Sequence, residues 1–140
     1  MDIREYQSSD EQAVVRLWTE CGLVRPWNDP HKDIRRKLSV QPEMFLVGVL
    51  DNEVMATVMA GFDGHRGWVN YLAVAVKCRR RGLARMLMER VEQQLKEMGC
   101  PKLNMQVRVS NTDVLAFYER LGYAPDYAVS LGKRLISDKE

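Results

Sequence analysis

Between Trp68 and Met98 the apolar pattern changes period once, and no other feature of the chain restricts its fold as much. Trp68 to Val76 is rich in aromatic and β-branched residues and predicts a strand. Leu83, Leu87, Val91, Leu95 and Met98 then recur at helical spacing until Gly99, which predicts a long helix with a glycine stop. Six residues, Lys77 to Gly82, separate the two patterns. A strand that enters a helix through so tight a turn belongs to a layered arrangement, because strand and helix must bury their apolar sides against each other.

The remaining segments fill in those layers. Asp2 to Tyr6 reads as an edge strand. Ser8-Ser9-Asp10-Glu11 offers hydroxyl caps to a helix with Val14, Leu17, Trp18 and Cys21 on one face, ended by Gly22. Asp29-Pro30 is a cap followed by proline at the first helical position, and Ile34 and Leu38 give that second helix an apolar side. From Met44 the period becomes two: Phe45 to Leu50 and Val54 to Phe62 predict strands joined by an Asp51-Asn52 turn, and Asp63 to Gly67 is hairpin-like. Leu103 to Val109 predicts a further strand. Ser110 is the expected cap of a helix carrying Val114, Phe117, Tyr118 and Leu121, and Tyr123 to Leu135 offers final strand material. The expected fold is α/β (α+β): a mixed, mostly antiparallel sheet with helices on both faces, in the order β-α-α-β-β-β-α-β-α-β.

A chain of 140 residues suits one domain, 1–140, and 46% hydrophobic residues suffice for a core. Three widely spaced cysteines, Cys21, Cys78 and Cys100, form no metal-type spacing and no even disulfide set. The expectation is a reducing, cytoplasmic setting with no metal, export signal or membrane span. Net charge is +2, too little for an overall nucleic-acid binder. Lys77, Arg79, Arg80, Arg81 and Arg85 are nevertheless clustered, and the cluster suits a polyanionic ligand.

That cluster falls where the strand opens the long helix. A helix N-terminus leaves backbone N–H groups without partners, and its dipole favours an anion. Gly82 and Ala84 allow a phosphate oxygen to approach the backbone closely. Taken alone, such a loop is equally compatible with tight packing beneath a solvated arginine face.

A second constellation, Asn111-Thr112-Asp113-Val114-Leu115-Ala116-Phe117-Tyr118 followed by Gly122-Tyr123, lies on the next helix. Here the chain resembles the GNAT superfamily of acetyl-CoA-dependent N-acetyltransferases. Those proteins carry Arg/Gln-x-x-Gly-x-Gly/Ala after a Leu-Ala-Val strand, then an Asn, a Tyr seven residues on, and Gly-Phe or Gly-Tyr. The resemblance covers residues 44 to 124 firmly. Arg25 to Pro30, Asp63 to Gly67 and Ser130 to Leu135 also look like the bacterial YpeA-type acetyltransferases. Two positions depart from the family pattern: Arg80 stands where the family often has Gly, and Val76 where it often has Pro.

The resemblance implies acetyl-CoA as cosubstrate and a primary amine, on a small molecule or a protein, as acceptor. It implies coenzyme contacts from Leu72, Val74, Arg79, Arg80, Arg81, Gly82, Leu83, Ala84, Asn111 and Tyr118. Tyr118 would be the general acid, since a phenol is protonated at neutral pH. The family's usual base position holds Trp68, which cannot accept a proton, so Asp63, His65 and Tyr71 are the nearby candidates, Asp63 and His65 foremost, with a chain of waters as the alternative. Trp27, Asn28, Asp29 and Tyr71 are the candidate acceptor-binding residues, with Asp29 equally explained as a helix cap. Dimers are common in that family, and the sequence leaves monomer or homodimer open. The alternatives are a non-catalytic acyl-CoA sensor or partner-binding module, and an RNA binder working through Lys77 to Arg85.

Overall fold

The computed structural model describes residues 1–139. Five strands form one sheet in the order β1-β2-β3-β4-β5: β1 (Asp2–Glu5), β2 (Phe45–Leu50), β3 (Glu53–Phe62), β4 (Gly67–Val74) and β5 (Leu103–Met105). The first four are antiparallel neighbours, and β5 runs parallel to β4. The described residues also form four α-helices: α1 (Glu11–Glu20), α2 (Pro30–Leu38), α3 (Leu83–Glu97) and α4 (Thr112–Arg120).

The sheet is covered on both faces. Phe45 and Val47 pack with Val14, Leu17 and Trp18 of α1 and Ile34 of α2. Leu46, Ala56, Val58 and Val69 pack with Leu87, Met88, Val91 and Leu95 of α3 and Tyr118 of α4. Burial on both faces explains the continuous apolar run in β2, where strict alternation would suit a half-exposed strand. No helix among the described residues is long and apolar enough to cross a membrane.

Local signals match their physical causes. Asp51 and Asn52 both take positive φ (53° and 64°), the backbone of a two-residue hairpin whose twist matches its strands. The start of α1 differs from expectation. No serine hydroxyl caps it: Ser8–Asp10 form a 3-10 turn ahead of the helix, in which Asp10 accepts from the Gln7 N–H at 2.8 Å and also pairs with the Arg4 guanidinium.

The sixth strand, expected within 123–135, is absent, and β5 stops at Met105 instead of Val109. Pro125 has no N–H to donate, Tyr127 sits at φ +55°, and Val129, Leu131 and Leu135 are at least 84% exposed. The segment has neither a ladder nor a buried face. Side chains hold it instead. Lys102 meets Asp126 at 2.7 Å, and the Asp138 carboxylate, fully buried, accepts from the Asp29 N–H (2.9 Å) and from the Arg36 guanidinium.

The Arg36 guanidinium and the Asp29 N–H hold the Asp138 carboxyl well below the usual carboxylate range. A depressed carboxylate stabilises the fold above its unfolded pKa of ~3.9, and that contribution fades as pH falls through the lower folded value. Asp138→Asn should therefore lower the melting temperature at neutral pH. The gap from wild type should close on acidification below about pH 4, as followed by thermal unfolding across a pH series.

Candidate active site

β4 builds the site through one extra residue. Thr57 pairs with Ala73 and Met59 with Asn70, so Tyr71 and Leu72 together face Val58. Such a bulge inverts the alternation of side chains. Val69 and Leu72 pack on the α3 side, whereas Tyr71 and Ala73 pack on the α1 side. The parallel ladder to β5 ends at Val69 and Met105, immediately before the bulge. Beyond it a cleft of about 940 Å³ opens, with Leu72, Ala73 and Val74 on one wall and Asn111, Phe117, Tyr118 and Arg120 on the other.

One end of the cleft is the entry to α3. Arg79, Arg80, Gly82, Leu83, Ala84 and Arg85 line it. Gly82, the residue before the helix, has φ +76°, and an added Cβ would meet nothing within 4 Å. The glycine is thus required by conformation, not by space. No side chain caps the first turn, so its N–H groups and the helix dipole are offered to an anion. The arginines divide. Arg79 folds back, its Nε donating to the Val74 carbonyl at 3.3 Å and its Nη2 lying 3.7 Å from Cys21 Sγ, which ties the loop to the end of α1. Arg80 and Arg85 are exposed along the cleft, and Arg81 is exposed but does not line it. Arg80 takes φ +66°, so a position where a glycine would rest easily holds an arginine in the left-handed region.

On the opposite wall Tyr118 is 7% exposed, edge-on to Phe117 and Tyr123. Burial pushes its phenol up to about 12. Asn111 caps α4, its Oδ1 accepting from the Val114 N–H at 3.4 Å, and it also lines the cleft; Ser110 does not have the capping role expected of it.

The remaining candidates separate by position. Tyr71 lies beside the cleft wall and donates its hydroxyl to Asp33 Oδ2 at 2.7 Å. Burial first, and Asp33 second, push its phenol well above the usual range. Trp27 is half exposed, with the Arg108 guanidinium 6.0 Å from its ring centroid, so the α1–α2 loop meets the β5–α4 connection there. Asn28 accepts from Arg134. Asp29 caps α2, accepting from the His31 N–H at 2.9 Å. Desolvation works upward on its carboxyl, but the helix N–H groups and neighbouring charges hold it below the usual range.

Asp63 and His65 are not brought to the cleft. Asp63 Oδ1 accepts from the Arg66 and His65 N–H groups (2.7 and 2.8 Å), and Oδ2 accepts from Trp68 Nε1 at 3.2 Å. Those bonds hold its carboxyl below the usual range. The hairpin closes at Gly67, five strand residues before Leu72, or roughly 16 Å at the usual strand rise. Residues that the sequence reading left out are Arg120, Cys21 and Leu23, which line the cleft, and Asp33 beneath Tyr71. Arg120, two residues after Tyr118 on α4, does not share that residue's helix face, so spacing gives no signal for it. Cys21 read as part of an apolar helix face, and nothing local joins Asp33 to Tyr71.

The bulge thus leaves a cleft with an uncapped helix start, Arg80 and Arg85 at one end and Tyr118 on its wall, an arrangement suited to an anionic ligand. Residues 9–123 match the family described as "Acetyltransferase (GNAT) family". An acetyltransferase of Yersinia enterocolitica is 49% identical over the whole chain and 99% of its own length, and one of Pectobacterium atrosepticum is 46% identical over the same shares. Among solved structures, AAC(6')-Iy in complex with the bisubstrate analogue CoA-S-monomethyl-acetylneamine superposes with a TM-score of 0.79. It is 16% identical and aligns over 96% of this chain and 98% of its own. The aminoglycoside antibiotic 6'-N-acetyltransferase of Acinetobacter haemolyticus gives a TM-score of 0.78 at 17% identity, over 97% and 99%. The chain belongs to the GNAT acetyltransferase family, and it is an acyltransferase.

The two left-handed residues of the loop should respond differently to substitution. Gly82→Ala should cost about 1 kcal/mol, since the strain is conformational and no clash adds to it. Arg80→Gly should be near neutral, because relief of a similar strain is offset by ~0.4–1 kcal/mol of extra freedom in the unfolded chain. Urea midpoints at unchanged m-values measure both.

Proposed function

We propose that this acyltransferase moves the acetyl group of acetyl-CoA to a primary amine by direct attack. The observation that carries this reading is the shared cleft: the uncapped first turn of α3 and Tyr118 both line the gap left where β4 bulges away from β5. The pyrophosphate would sit on the N–H groups of Leu83 and Ala84, after Gly82, with Arg80 and Arg85 at the rim. The pantetheine arm would follow the wall from Val74 towards Leu72, past Asn111. Arg79 is assigned mainly to holding the loop, and Arg81 to the surrounding field.

In the reaction the amine lone pair forms a C–N bond to the thioester carbon, and the carbonyl π pair moves onto oxygen. Backbone N–H groups in the stretch 72–74 donate to that oxygen. The C–S bond then breaks, sulfur leaves with the electron pair, and the Tyr118 hydroxyl supplies its proton. A phenol pushed up to about 12 is a weaker acid than an ordinary thiol near ~8.5, so an isolated transfer to sulfur would be uphill. Tyr118 is accordingly assigned a transfer coupled to proton loss from the new C–N nitrogen, which restores the phenol. Trp27 and Tyr71 are assigned to the acceptor side, with Asn28 and Asp29 shaping the loop that carries Trp27. Asp63 and His65 are assigned to the hairpin and not to proton transfer.

Acetyl-CoA should raise the melting temperature in a concentration-dependent manner, because it binds the native state alone. Gly82→Glu should remove that shift by placing bulk and negative charge where the phosphates lie. A folded protein with no shift at millimolar acetyl-CoA would refute the coenzyme assignment. Tyr118→Phe should keep the shift and, with an amine acceptor present, lower thiol release by ~10²–10⁴-fold. Equal turnover, with chemistry rate-limiting, would make Tyr118 a packing residue.

A further inference from the structure

The bulged residue is a tyrosine held at φ +53° in the middle of a strand. A non-glycine residue keeps such a backbone only where its surroundings over-determine it. Three contacts to Tyr71 do so here, and a fourth bond joins two of its partners. The Tyr71 ring stacks on Trp18, centroids 3.8 Å apart and planes 16° from parallel. Its hydroxyl donates to Asp33 at 2.7 Å. Its carbonyl accepts from Thr57 Oγ1 at 2.9 Å, and the same Thr57 Oγ1 accepts from Trp18 Nε1 at 2.9 Å. Thr57 is a hydroxyl residue on a strand whose neighbours are apolar, and both it and Trp18 are fully buried.

The direction of this relay is forced. An indole N–H can only donate and a carbonyl can only accept, so the Thr57 proton must point at the Tyr71 oxygen. In a trans peptide the C=O and the following N–H point opposite ways. The Tyr71 carbonyl is drawn towards β3, so the Leu72 N–H is turned away from β3, to the side where β5 no longer pairs. That side is the cleft, and Leu72 lines it.

We propose that Trp18 and Thr57 are positioning residues for acetyl transfer, fixing the Tyr71–Leu72 peptide so that the Leu72 N–H is aimed at the thioester oxygen. This rests on the acetyl-CoA reading above and adds the pair of buried side chains through which the fold sets that donor. Neither side chain touches the substrate. Thr57→Val keeps size and branching but removes the hydroxyl, leaving the peptide without its anchor. Thr57→Ser restores a hydroxyl. Trp18→Phe keeps a stacked ring and removes the N–H, so the Thr57 proton loses its enforced direction.

The test is the carbonyl ¹³C resonance of bound [1-¹³C]acetyl-CoA, which reports hydrogen bonding to the thioester oxygen and needs no acceptor. It is read beside acetyl-CoA affinity from calorimetry and thiol release with an accepted amine. In Thr57→Val the bound resonance should move towards the free value, with affinity within about threefold of wild type. Turnover should fall by about tenfold to a hundredfold, below the full loss of an oxyanion donor. Thr57→Ser should recover both, and Trp18→Phe should move the resonance the same way by less. A folded Thr57→Val with wild-type resonance and turnover, and only a lower melting temperature, overturns the proposal. Should Thr57→Val not fold, an unmoved resonance in folded Trp18→Phe overturns it equally. Absence of any bound signal in the wild type refutes the acetyl-CoA reading and this proposal together, whereas a normal wild-type signal left unmoved by the variants refutes this proposal alone.

Discussion

One extra residue in β4 governs the architecture. A strand has a side-chain period of two, so the insertion at Tyr71 and Leu72 transfers everything after it to the other face. Tyr71 thereby joins the α1 layer, Leu72 joins the α3 layer, and pairing with β5 ends after three residue pairs. A continuous ladder would have filled the gap with backbone hydrogen bonds. The interruption instead leaves a cleft walled by main chain on one side and by α4 on the other. The cost of the bulged backbone falls on Tyr71, and Trp18, Thr57 and Asp33 from three different elements offset it.

The basic cluster shows a similar division of work. Five cationic residues within nine positions read as one electrostatic feature, but they do separate things in the folded chain. Arg79 is spent on the Val74 carbonyl and the neighbourhood of Cys21, and it anchors the end of β4 to α1. Lys77 pairs loosely with Glu53 at the surface. Arg80 and Arg85 remain along the cleft, beside a helix end with no side-chain cap. Charge at that end therefore comes from backbone dipoles as much as from side chains. The backbone part is insensitive to most substitutions outside Gly82.

Most elements were legible because their signals are local. The switch of period between Trp68 and Met98, the Asp29-Pro30 start of α2 and the paired positive φ at Asp51 and Asn52 follow from side-chain spacing and backbone preference. Gly82, Leu83, Ala84, Asn111 and Tyr118 were named together only through the family resemblance, and in the fold all five line one cleft. The tail failed for a local reason too: Pro125 and the left-handed Tyr127 break a run that otherwise has strand composition.

Taken by itself, the sequence determined the order of elements as far as α4, the two-sided burial of the sheet, and the turn at Gly82, because each depends on neighbours along the chain. Only the tertiary structure decided which polar residues reach the cleft. Asp63 and Trp68 close on each other at the far end of β4, Asp138 crosses from the C-terminal tail to Arg36 and Asp29, and Trp18 reaches Thr57 thirty-nine positions away. Such contacts follow from how layers stack and where a bulge falls. No residue carries that information in its own neighbourhood, since the pairing partner that reveals the bulge lies on another strand.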